Sequence, residues 1–157
     1  MISIPISAWS GFNVFTLQID HLAEGLGAAV QVGWRFVSPN QDAAADVVAG
    51  KSGDQQPRVI NLLRYAADDR PLQAVAAVQS LPELNESEYE LRVLRIPGIL
   101  LEAFWLVSAE GNRDLLVPVL TRSSRFKRMN AYPVTEFLKI ARVLADEFLK
   151  FDHTEDV

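Results

Sequence analysis

The residues best placed by local spacing to do chemistry are Asp20, His21 and Glu24, an imidazole with two carboxylates inside one helical turn. On such a turn His21 is a candidate base and Glu24 the group that orients its ring. The commoner meaning of the same pattern is a surface histidine beside ordinary carboxylates. His153 lies in the acidic C-terminal segment, and no third histidine completes a zinc triad. Gly25 and Gly27 lack the third glycine and the following basic residue of a nucleotide-binding turn. No G-x-S-x-G elbow occurs. With 0 cysteines the chain has no thiolate nucleophile and no Cys-based metal site. These residues give no catalytic assignment, no metal site and no expected cofactor, and they leave open whether the chain is an enzyme.

Binding candidates are of three kinds. Arg122, Arg125, Lys127 and Arg128 form the one dense basic patch, interleaved with Ser123, Ser124 and Phe126. Arginine there can grip a carboxylate or phosphate with two parallel hydrogen bonds, which suits an anionic ligand or an acidic partner segment. The plainer reading is a solvated loop that offsets the acidic remainder. Glu102 is the single charge within the most apolar run. It is expected where the sheet meets solvent or at a subunit contact; turned into the core, it would need Arg92 or Arg95 as partner. Of Trp9, Trp34 and Trp105, Trp105 reads as core and Trp9, beside Ser10 and Gly11, as the candidate to line a cleft or interface.

Bulk composition narrows the partners. The formal net charge of −5 disfavours nucleic acid, because phosphate contact runs on clustered Lys and Arg. No basic residue precedes the apolar part of residues 1–15, so a secretory signal is not expected. No apolar run approaches the roughly 20 residues needed to span a bilayer. A single cytoplasmic globular domain over residues 1–157 is the expectation.

The elements that would position these residues centre on residues 87–120, read as a β-meander. Tyr89, Leu91 and Val93 alternate with Glu90 and Arg92, the period of a strand with one wet face. Leu94 and Ile96 continue on the opposite parity, which calls for a bulge near Val93 and Leu94. Pro97 and Gly98 make a turn in which Gly98 takes the position tolerant of positive φ. The run 99–107, apolar on both parities except Glu102, has a composition that would also suit a helix, but its short length between strands reads as a central strand covered on both faces. Residues 115–120 return as a third strand, placed at an edge or broken by Pro118.

Outside the meander, Ile2, Ile4 and Ile6 suggest a short edge strand. The run 14–19 is β-rich, and Asp20 could cap a short helix over Leu22, Leu26 and Ala29. Val30, Val32, Trp34 and Phe36 predict a strand. Ser38, Pro39 and Gln41 spell a capping box for a helix ending at Gly50. Pro57 opens a second helix carrying Ile60, Leu63 and Ala67, and Leu72, Val75, Ala76 and Val78 suggest a third, although the same residues could make a strand. Phe137, Ala141, Leu144, Phe148 and Phe151 recur at helical spacing and predict a long C-terminal helix that covers the sheet.

The fold class that follows is α+β: a mostly antiparallel sheet around the C-terminal-half meander, with helices packed on one face. Two functions fit. One is a non-enzymatic interaction or regulatory module that binds a protein partner or itself through the meander's uncovered face or edge strand. The other is a small-molecule-binding protein or enzyme with a pocket between sheet and helices, to which Trp9, Glu102 and the loop 122–128 contribute polar contacts. Convergence of those three groups on one cavity favours the second; their scatter favours the first.

Overall fold

The structure, a computed structural model, describes residues 10–37, 43–48, 58–64, 89–109, 111 and 113–155. The edge strand expected over residues 2–6, Trp9, the capping box at Ser38 to Gln41 and the helix over residues 72–78 lie outside them. The strands are β1 (Ser10–Thr16), β2 (Val30–Val37), β3 (Ala43–Val48), β4 (Arg58–Arg64), β5 (Tyr89–Ile96), β6 (Leu101–Ser108), β7 (Leu115–Leu120) and the two-residue β8 (Tyr132–Pro133). They form one sheet in the order β4-β3-β2-β1-β5-β6-β7-β8. Every neighbouring pair is antiparallel except β1 with β5. The sheet is thus two meanders joined along a short parallel seam, where Val14, Phe15 and Thr16 face Val93, Leu94 and Arg95. The helix α1 (Val134–Glu155) packs on one face, so the α+β architecture read from the sequence is the one observed.

Two expected helices are strands. Residues 43–48, which follow the capping box, pair as β3 with both β2 and β4. Residues 58–64, expected to be helical after Pro57, are β4. A capping box favoured helix for the first and apolar residues at helical spacing favoured it for the second, and the ladder of the first meander overrides both weak local preferences. After Thr16 the backbone does coil, but as 3-10 turns over Ile19–Glu24 and Leu26–Ala28, with Gln18 rather than Asp20 at the cap.

The meander lies where the sequence puts it, with one correction. The pairing of β5 with β6 runs without a register shift from Tyr89 opposite Ser108 to Ile96 opposite Leu101, so no bulge stands at Val93 and Leu94. The parity changes because this sheet is buried on both sides. Val93 joins Val14, Phe104, Leu106 and Val117 on one face. Leu94 and Ile96 join Leu17, Ala103, Trp105, Leu116, Phe137, Ala141 and Leu144 on the other, under the helix. Burial of both sets away from water is what fixes the register.

At the turn after β5, Gly98 serves closeness rather than a positive φ. A Cβ there would stand 2.5 Å from Cγ2 of Ile19. The left-handed residue is Leu100, at φ 53°. Pro118 sits where β7 has little to donate to. Outside it, β8 reaches only Leu115 and Leu116, and the Pro118 carbonyl accepts the N–H of Met129 at 2.9 Å. The meander therefore has neither a bare face nor a bare outer edge there.

Candidate functional site

His21 and Glu24 do meet, Nδ1 to Oε2 at 3.1 Å, on the 3-10 turn. Both side chains are exposed. The turn is tied to α1 by Arg142, whose guanidinium donates to the carbonyls of Leu22 and Ala23. Among the described residues no group of three His, Asp or Glu could hold a metal ion. So exposed a pair is poor material for acid–base catalysis.

Glu102 is buried, not at solvent, and its close partner is neither Arg92 nor Arg95. Its Oε2 lies 2.6 Å from Nη1 of Arg35, with both side chains nearly covered, 12% and 6% exposed. Arg95, directly opposite on β5, is a looser second partner at 3.9 Å. Arg92 points to the helix side, where its guanidinium stacks 4.8 Å from the Phe15 ring and 5.1 Å from that of Trp105. Trp105 is core, as expected, and donates its indole N–H to Asp114 at 3.0 Å. Trp34 is half-buried on β2.

The basic loop is a folded object. Phe126, 3% exposed, anchors it between Tyr132 and Phe137, with ring centroids 5.5 and 4.9 Å away. The Ser123 N–H donates to Thr121 Oγ1, the Arg125 N–H to Ser123 Oγ, and the Lys127 N–H to the Tyr132 hydroxyl. Short side-chain-to-backbone bonds of this kind hold a turn without regular secondary structure. With Phe126 pinned inward, the four cations are all held outward.

They separate into two pairs. Arg122 and Arg125 line a cleft of ≈ 520 Å³ together with Ser123, Ser124, Ile99, Leu144, Glu147 and Phe148. Lys127 and Arg128 do not line it; Arg128 Nε donates to the Val119 carbonyl on β7. Within the cleft, Arg125 pairs with Glu147 of α1. Among the described residues Arg122 has no hydrogen-bond or ion-pair partner. The apolar part of the cleft comes from the helix stripe outlasting its cover. Phe137, Ala141 and Leu144 are buried, whereas Phe148 is 37% exposed, and Leu100 beside Ile99 is 44% exposed.

The candidates therefore scatter. Glu102 belongs to the face opposite α1, and the arginines to a cleft beside α1's C-terminal half. Sequence reasoning missed Ile99, Leu144, Glu147 and Phe148 as cleft residues. The available signal was a stripe running on past Leu144 with Glu147 beside Phe148. No family model, curated protein or solved structure matches the chain. Among the described residues no helix is long and apolar enough to cross a membrane.

Proposed function

We propose that the chain is a non-enzymatic docking module that receives an acidic segment of another protein in the cleft between the basic loop and α1. The observation that carries this reading is the pairing of opposite characters in one place. Arg122, without a partner among the described residues, stands beside the exposed ring of Phe148 and the apolar Ile99 and Leu144. A carboxylate next to an apolar side chain satisfies both halves of such a surface. Arginine and aromatic residues are also the side chains that most often anchor protein contacts. In a chain of formal net charge −5, two arginines held at one cleft favour an acidic partner by local complementarity. Lack of cysteine agrees with a cytoplasmic setting. Glu102, facing away and paired with Arg35, lends no support to a small-molecule pocket shared with the loop.

The test is fluorescence anisotropy with a labelled peptide of alternating glutamate and leucine, beside its glutamine and leucine counterpart. The acidic peptide binds more tightly, loses affinity as salt rises, and loses it again in the Arg122→Glu variant. Equal binding of the two peptides, or indifference to Arg122→Glu, contradicts the assignment.

A further inference from the structure

Resting on the docking reading above, we infer that Glu147 is a built-in competitor for the incoming carboxylate, holding Arg125 until an acidic segment displaces it. Arg125 reaches from the loop to α1 and pairs with Glu147, and both residues line the cleft. The two side chains are half-exposed, 53% and 50%. An ion pair so open to water is held weakly and exchanges readily. Glu147 thus sits where a partner's carboxylate would bind Arg125, beside a second arginine that has no partner among the described residues. Arg122 makes the first contact, and Arg125 then changes partner. Such an arrangement sets a threshold. A segment with one acidic residue gains Arg122 alone, while one with two suitably spaced carboxylates gains both arginines and expels Glu147 into solvent. Specificity is a difference of affinities, and a penalty that only the better-matched segment overcomes enlarges that difference.

The experiment compares wild type, Glu147→Gln and Glu136→Gln with the same glutamate–leucine peptide. Glu136 lies in the first turn of α1, about 16 Å along the helix from Glu147, so its variant removes the same charge away from the cleft. Glu147→Gln is expected to bind the peptide about two- to fivefold more tightly, the range that a weak surface pair allows. Glu136→Gln is expected to match wild type. If wild type binds the acidic peptide and Glu147→Gln binds it no better, or if both variants tighten alike, the competitor role is overturned while docking stands. If none of the three prefers the acidic peptide, the docking reading falls and this inference with it.

Discussion

Arg35 on β2 and Glu102 on β6 form an ion pair of 2.6 Å across two intervening strands. In a flat sheet their strands stand three spacings apart, about 14 Å. They are also offset along the strands: Arg35 is level with Phe12, and Glu102, through Arg95, with Thr16. Only a sheet coiled strongly toward the face opposite α1 brings them together. The pair links the two meanders over a seam that has three residue pairings of its own.

Glu102→Gln removes the carboxylate that pairs with the buried Arg35 guanidinium at 2.6 Å, and should destabilise the protein by up to about 3–5 kcal/mol. Replacing both residues with apolar ones of similar volume, Arg35→Met with Glu102→Leu, should recover most of the loss. Urea unfolding of the three variants measures this. A near-zero effect of Glu102→Gln contradicts the proposed coupling of the meanders.

Gly98→Ala places a methyl group against Cγ2 of Ile19, an atom on a branched Cβ that cannot swing aside. The expected cost is about 1–3 kcal/mol. Adding Ile19→Ala removes the clash, so the double variant should lose less than the two single losses summed. Thermal unfolding midpoints give the comparison.

Asp114 closes the β6–β7 turn with both oxygens, one accepting the Trp105 indole N–H and the other the Ser108 N–H at 2.8 Å. Asp114→Ala removes the acceptor shared by these two donors and should cost about 1–3 kcal/mol. It should also shift tryptophan emission to longer wavelength as Trp105 becomes wetter. Unchanged emission and stability would show that the turn holds without it.

Phe126→Ala removes the anchor that keeps Arg122 and Arg125 facing the cleft. The chain should still fold around the remaining core, at a cost of up to about 3–5 kcal/mol. Peptide affinity measured well below the unfolding transition should fall further than in Lys127→Ala, whose side chain lies outside the cleft. Equal affinity in Phe126→Ala and wild type means that the loop does not need its anchor to bind.

How much could be read from the chain depended on whether the deciding contact was local. Strands β5, β6 and β7 and helix α1 carry their signals within their own residues, alternation in β5, a continuous apolar run in β6 and a helical stripe in α1, and they stand where those signals place them. Residues 43–48 follow a helix-start signal and residues 58–64 carry apolar residues at helical spacing, and the strand pairing that overrules both comes from other segments. The parity change at Val93 and Leu94 looked like a bulge only while one face was taken as wet. Glu102 was singled out correctly as the odd charge, yet Arg35 is far away in sequence and no spacing rule connects them. The basic loop was visible as a cluster. Its division into cations that line the cleft and cations that do not depends on the burial of Phe126 and could not be read from composition.

Amide chemical-shift mapping of the chain during titration with the glutamate–leucine peptide bears most directly on the docking surface. The account predicts that the perturbed residues gather at the cleft, around Arg122 to Arg125 on the loop and Leu144, Glu147 and Phe148 on α1. Perturbations centred instead on β2 around Val30 and Val32, with the cleft silent, would contradict it.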